Sequence, residues 1–159
     1  MKFPIGIQTF EEIIEGGYVY VDKTDLVYKL VSSGEYYVLS RPRRFGKSLL
    51  TTTLESYFLG RRDLFKGLAI DSLETEWIEY PVFHLDFSGG DYTKESALQN
   101  RLGSVLSEWE LKYGRVESEK EIGDRFYGVI SRAKEMTGKK VVILVAEYDK
   151  PLNDAIGLS

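Results

Sequence analysis

The sequence predicts an α/β fold in which a parallel sheet is flanked by helices. Three observations predict it. Two unbroken apolar runs of strand length, Tyr36-Tyr37-Val38-Leu39 and Val141-Val142-Ile143-Leu144-Val145, have the character of strands buried on both faces. Segments with helical periodicity alternate with these strands, as in a parallel sheet with crossover helices. The first apolar run leads through a short basic loop, ending Gly46-Lys47-Ser48, into an amphipathic helix. A chain of 159 residues suits one domain.

The elements follow in order. Thr9-Phe10-Glu11-Glu12 has capping-box form and Gly16-Gly17 stops the short helix it opens. Tyr18-Val19-Tyr20-Val21 reads as a short extended piece. Leu26, Val27, Leu30 and Val31 recur at helical spacing and end at Gly34. After the strand over 36–39 and the basic loop, a helix carries Leu50, Leu54, Tyr57 and Phe58 and finishes at Gly60. Residues 82–87 form the second strand. A long helix then carries Leu98, Leu102, Val105, Leu106 and Trp109 and stops at Gly114. Another opens at Ser118 with Glu121 as its capping-box partner, carries Ile122, Phe126, Val129, Ile130 and Ala133, and ends at Gly138. Residues 141–145 are the third strand.

Composition excludes several chemistries. There is no cysteine, so disulfides, thiol catalysis and cysteine metal sites are out. The one histidine is His84, on which any His-based triad would have to turn. A net charge of −4 excludes a strongly basic nucleic-acid scaffold. No run approaches the ~18 apolar residues of a membrane helix, and no apolar run follows the start as in a signal peptide. A soluble, cytoplasmic protein without a membrane partner is the expectation.

Strand, tight loop ending Gly-Lys-Ser, then helix is a phosphate-loop arrangement. Such a loop points backbone N–H groups at an anion, and the helix N-terminus adds partial positive charge. Gly46 lets the backbone approach without a Cβ. Lys47 would reach the β- and γ-phosphates of ATP, and Ser48 would give Mg²⁺ a hydroxyl ligand. Arg43, Arg44, Phe45 and Leu49 complete the candidate binding stretch. The usual first glycine is Arg41 here, a departure from G-x-x-x-x-G-K-[ST]. An acidic pair is expected after a downstream buried strand: an Asp for Mg²⁺ and a Glu to polarise water. Glu147 fills the second role, but Ala146 occupies the Asp position. Alanine has no oxygen to offer a cation.

Phe3-Pro4-Ile5-Gly6, Tyr20-Val21-Asp22-Lys23-Thr24, Ser40-Arg41-Pro42-Arg43-Arg44-Phe45-Gly46-Lys47-Ser48 and Glu147-Tyr148-Asp149-Lys150-Pro151 together resemble the bacterial AAA-ATPase-like family. The resemblance covers nearly the whole chain. It implies a three-layer phosphate-loop NTPase of the additional-strand (ASCE) class, with Arg-Pro-Arg-Arg-Phe-Gly-Lys-Ser as a family form of the loop. It implies sheet order 2-3-4-1-5, of which this chain carries strands 1 to 3 and lacks 4 and 5. Residues 1–35 are then a helical lead-in, and 36–159 run from the phosphate loop to the Walker B region of one incomplete domain. The parent would be longer, often with a PD-(D/E)XK nuclease-like domain. The family's Asp-Glu-Tyr-Asp-Lys-Pro reads Ala146-Glu147-Tyr148-Asp149-Lys150-Pro151 here. The implied function is ATP and Mg²⁺ binding with hydrolysis weak or lost. The alternative is a nucleotide- or anion-binding regulatory module signalling to a C-terminal effector. An incomplete sheet exposes an edge, so self-association or element exchange is expected.

Other features have structural readings. Arg41, Arg43 and Arg44 add charge to the phosphate site or form a solvated basic loop; nucleic-acid contact is not expected of this stretch. Asp22, Lys23 and Thr24 hold the base or cap the next helix, capping being preferred. His84 and Asp86 alternate with Phe83, Leu85 and Phe87 and share the opposite strand face, in a structural role. Trp77 and Trp109 suit core packing. Glu117, Glu119, Lys120 and Glu121 read as a solvated first turn.

Overall fold

The computed structural model describes residues 1–7, 9–32, 47–87, 90–94 and 96–146, with the side chains of Lys47 and Ser48 outside that description. The expected strand over 36–39 lies outside the described residues. The chain divides into two compact units, Met1–Glu79 and Tyr80–Ser159.

The first unit is helical: α1 (Phe10–Glu15), α2 (Thr24–Ser32), α3 (Lys47–Phe58), α4 (Arg62–Phe65) and a 3-10 turn over Ala69–Ser72. Its core gathers Phe10, Ile13, Val27, Leu54, Leu64, Phe65 and Ile70. Phe10 lies 4.7 Å from Phe65 and meets Tyr20 edge-on at 5.4 Å between ring centroids. Trp77 joins this aromatic cluster at 5.2 Å from Phe65, and its Nε1–H donates to the Glu74 carbonyl, so its expected packing role holds. Among the described residues, the Tyr18–Val21 stretch pairs through a parallel bridge of Lys2 with Tyr18.

Helix α1 forms as the sequence predicts, but Thr9 makes no side-chain cap. The first N–H of the helix, that of Phe10, donates instead to the Thr52 hydroxyl of α3 at 3.1 Å. A tertiary acceptor therefore replaces one bond that a local cap would make. α3 ends in a Schellman closure, Gly60 N–H to Tyr57 O and Arg61 N–H to Ser56 O. Gly60 has φ +71, and a Cβ there would sit 3.1 Å from the Trp77 carbonyl, so glycine serves both backbone and packing.

The second unit is β1 (Val82–Asp86), α5 (Ala97–Tyr113), α6 (Ile122–Thr137) and β2 (Val142–Ala146). β1 and β2 pair in parallel, in register from Val82 opposite Val142 to Asp86 opposite Ala146. This is the α/β arrangement expected: two parallel strands joined through helices. Phe83 packs with Leu106, Tyr113, Val129 and Ala133, while Leu85 and Phe87 pack with Tyr92 and Val105. α5 and α6 thus both contribute to the core on the Phe83–Leu85 face. Trp109 stacks on Phe83 with centroids 4.4 Å apart, which fulfils its core role. Paired residues of a parallel ladder share a face, so Ile143 and Val145 belong to that face too. They remain 42% and 40% exposed.

Gly114 and Gly138 stop α5 and α6 as expected. Three local expectations change. Leu98 is 38% exposed rather than core. α6 opens at Ile122, not Ser118, and Glu121 at its N-cap makes no side-chain cap. The reason is a turn in which Glu119 N–H donates to Val116 O while Val116 N–H donates to the Glu119 carboxylate. That turn uses the backbone Ser118 would need to open a helix. Nor is Glu119 a solvated charge: its side chain is largely buried and accepts from Arg132 at 3.0 Å.

Candidate functional site

Two stretches carry candidate chemistry, one in each unit. In the first, α3 begins at Lys47. The Gly-Lys-Ser sequence therefore meets a helix N-terminus, as the strand–loop–helix reading requires of its helix. Arg41, Arg43, Arg44, Phe45 and Gly46 lie outside the described residues, and Lys47 and Ser48 are placed by backbone alone. Leu49 is half-buried. Its carbonyl accepts two side-chain hydrogen bonds, from the Thr53 hydroxyl at 2.6 Å and the Thr52 hydroxyl at 3.1 Å.

The buried face of α3 is correspondingly polar. Thr51, Thr53 and Ser56 are buried beside Leu54, whereas Leu50, Tyr57 and Phe58 are only half-buried. Threonine can bury in a helix when its hydroxyl returns to a carbonyl of the preceding turn. Hydropathy spacing missed Thr52 and Thr53. The signal available was the run Thr51-Thr52-Thr53 itself, since three β-branched residues in a helix imply a compensating contact.

The Tyr20–Thr24 motif packs against both α3 and the turn at Ala69–Ser72. Asp22 accepts from the Thr24 N–H at 2.9 Å, the Thr24 hydroxyl at 2.6 Å and the Ala69 N–H at 2.7 Å. The fully buried Thr24 hydroxyl oxygen accepts from Ile70 N–H at 3.0 Å. Desolvation acts against the Asp22 charge, but these donors outweigh it and hold its carboxyl below the ordinary range. Capping, the preferred reading of Asp22, is thus what the geometry displays. Burial, together with the Asp22 charge, pushes the Tyr20 hydroxyl up to about 12, against an opposing hydrogen bond with Thr53.

In the second unit, Ala146 ends β2. Its carbonyl accepts Phe87 N–H at 3.0 Å, so the residue presents only a methyl group where a carboxylate was expected. Its register partner Asp86 lies beside it on the same strand face. The Asp86 carbonyl accepts from both Nε and Nη2 of Arg101, at 3.0 and 2.7 Å, tying α5 to the end of β1. Glu147 and Asp149 lie outside the described residues. Position 146 does not fit a Mg²⁺ ion, and no cluster of three or more His, Cys, Asp or Glu placed to hold a metal occurs among the described residues. His84 and Asp86 share the half-buried face opposite Phe83 and Leu85.

Two ion pairs that the sequence reading passed over join α5 to α6 and its lead-in. Arg125 donates to the Glu110 carboxylate through Nε and Nη2. Arg132 reaches the Glu119 carboxylate, and also the carbonyls of Tyr113 and Gly114. No helix among the described residues is long and apolar enough to cross a membrane.

A family model described as Predicted AAA-ATPase, of the AAA-ATPase-like family, matches residues 4–159. The chain belongs to that family. It is 42% identical over 155 residues to an uncharacterised protein of the vnfD 5′ region of Azotobacter chroococcum mcd 1. That alignment takes in 96% of this chain and 30% of the relative, so the chain spans under a third of the relative's length. No solved structure matches.

Proposed function

We propose that this member of the AAA-ATPase-like family is the nucleotide-binding portion of a longer phosphate-loop NTPase. Within it, residues 1–159 would be the N-terminal part of one three-layer ASCE domain. The observation that carries the reading is the start of α3 at Lys47. The first-turn N–H groups of a helix lack internal partners, and its dipole favours an anion. Lys47 would neutralise the β- and γ-phosphates of ATP, with Arg43, Arg44, Phe45, Gly46 and Leu49 shaping the loop around them. Ser48 would be this chain's own ligand to Mg²⁺, and Glu147 would orient the attacking water. Turnover is weak or lost, because Ala146 offers no ligand oxygen.

One observation favours a second reading, a binding module without catalysis. At Ala146 the side chain is a methyl group and the backbone carbonyl is engaged by Phe87. ATP, or a simple anion, would then act as a signal to an effector in the remainder of a protein of the relative's size, for which the family resemblance suggests a nuclease-like domain. The exposed Ile143 and Val145 support self-association or strand exchange at this sheet.

Thermal denaturation tests the nucleotide reading. Saturating ATP at about 100 times its Kd adds about 2.7 kcal/mol to stability. The unmodified chain should melt higher with ATP, and Lys47→Ala should not. An equal rise in both variants would rule out the phosphate loop. Ala146→Asp in the longer protein separates the two readings: gained turnover marks an ATPase, and unchanged negligible turnover marks the binding module.

A further inference from the structure

The two edges of the parallel pair β1–β2 are finished differently. Val142 N–H donates to Pro81 O and the Ala146 carbonyl accepts Phe87 N–H, so Val142, Leu144 and Ala146 turn their backbone groups toward β1. Backbone direction alternates along a strand, so the N–H and C=O of Ile143 and Val145 point the other way. No other described strand or side chain pairs with that edge of β2. The outer edge of β1 is closed at its end instead, where Arg101 occupies the Asp86 carbonyl through Nε and Nη2. Ile143 and Val145 are also the residues whose side chains stay exposed, on the face where Phe83 and Leu85 are buried against α5 and α6. Free backbone groups and bare β-branched side chains thus coincide at the same two positions.

We propose that a second copy of this chain pairs with this edge, β2 against β2 and antiparallel, about a two-fold axis at Leu144. The proposal rests on the self-association reading above, to which it gives a specific interface, and is independent of nucleotide. The register follows from the strand. Centred on Leu144, all five residues Val142–Ala146 find partners, with Ile143 opposite Val145 of the second copy. Ile143 and Val145 then form two hydrogen-bonded pairs, each exchanging both N–H···O=C bonds. An axis normal to the sheet keeps both copies the same way up, so each Ile143 side chain lies against the other copy's Val145. Charge favours the antiparallel sense. Lys139 and Lys140 precede the strand and Glu147 and Asp149 follow it, so the basic approach of one copy meets the acidic exit of the other. A parallel approach would set like charges together, which destabilises a pair. The contact uses the same patch on both copies and closes on itself, so it ends at a dimer with one four-stranded sheet.

Sedimentation velocity tests this, together with disulfide trapping. The unmodified chain should sediment at twice the mass of one copy. Ile143→Lys and Val145→Lys, both at exposed positions, should keep the parent's melting temperature and far-UV circular dichroism. Each should raise the dimer Kd at least about 10-fold, because a lysine on a strand edge opposes pairing. The chain has no cysteine, so a single introduced one reports alone. Position 144 stands opposite itself across the axis, in a pair whose Cβ atoms are about 4.5–5.5 Å apart. Leu144→Cys should therefore crosslink into dimers on mild oxidation. Position 142 would lie four residues, about 13 Å, from its own counterpart. Val142→Cys should crosslink at least about 5-fold less under the same oxidant, since a disulfide needs Cβ atoms about 4 Å apart. Sedimentation as a single chain across the soluble range overturns the self-association reading and this interface, and leaves the nucleotide reading standing. A dimer that survives both lysine variants keeps self-association and overturns this interface. So does crosslinking through Val142→Cys equal to that through Leu144→Cys.

Discussion

Asp86 and Ala146 stand opposite each other as the last register pair of the parallel ladder between β1 and β2. Neighbouring strands run about 4.8 Å apart, so a side chain added at 146 would stand next to the Asp86 carboxylate. Ala146→Asp should therefore create a pair of like charges on one strand face, costing roughly 0.5–1 kcal/mol near neutral pH. Millimolar Mg²⁺ should recover that loss in Ala146→Asp and do little for the unmodified chain. Melting curves with Mg²⁺ and with chelator check it. A variant indifferent to Mg²⁺ would mean that the end of β2 does not accept a cation even with its carboxylate restored.

Gly128 is a point of close approach rather than a flexible joint. A Cβ built there would lie 1.6 Å from Glu119 Oε2. Gly128→Ala should expel the Glu119 carboxylate from its contacts with Arg132 and the Val116 N–H. The lost contacts, partly offset by the better helix propensity of alanine, should lower the melting temperature by about 2–4 °C. Glu119→Ala in the same chain should remove the clash, so the double variant should be more stable than the sum of the two losses predicts. Strict additivity in that cycle would contradict the contact.

The first unit should have opposite sensitivities at the two ends of the pH scale. The Asp22 pKa is depressed in the fold, so its contribution is present above the unfolded value of about 3.9 and is lost as pH falls through the folded value. The Tyr20 pKa is raised from 10.0 to about 12, so its contribution is present below 10 and is lost as pH climbs toward 12. Urea midpoints across pH should fall in acid for the unmodified chain and less so for Asp22→Asn. They should also fall above pH 10.0 for the unmodified chain and less so for Tyr20→Phe. Identical profiles for a variant and its parent would remove that group from the account.

Phe83 is the hinge of the second core, 1% exposed and stacked on Trp109. Phe83→Ala should cost about 3–5 kcal/mol and alter Trp109 fluorescence in the native state. A shift of the urea midpoint worth under about 1 kcal/mol would contradict the packing described.

Much of this fold was legible because its signals are local. The glycines at 17, 60, 114 and 138 stop helices that hydropathy spacing already outlined, and the apolar run ending at Val145 forms a strand as expected, although not one buried on both faces, since Ile143 and Val145 stay 42% and 40% exposed. What the chain did not disclose were choices between competing partners. Thr9 and Ser118 both begin capping boxes, yet Thr52 satisfies one helix start and the Val116–Glu119 turn displaces the other. Apolar spacing put the face of α3 on Leu50, Leu54, Tyr57 and Phe58; the buried face instead includes Thr51, Thr53 and Ser56, whose hydroxyls need only a nearby carbonyl to be buried without loss. For the candidate site, the helix start at Lys47 and the methyl at position 146 were readable directly. The Leu49 carbonyl was not, because the hydroxyls it accepts belong to Thr52 and Thr53, which hydropathy spacing passes over.

Calorimetric titration of ATP into this chain, with and without Mg²⁺ and with Lys47→Ala beside it, tests the central claim most directly. The account predicts saturable binding that is lost in Lys47→Ala and depends only weakly on Mg²⁺, since Ala146 contributes no ligand. Binding that survives Lys47→Ala, or no heat of binding in the unmodified chain, would contradict it.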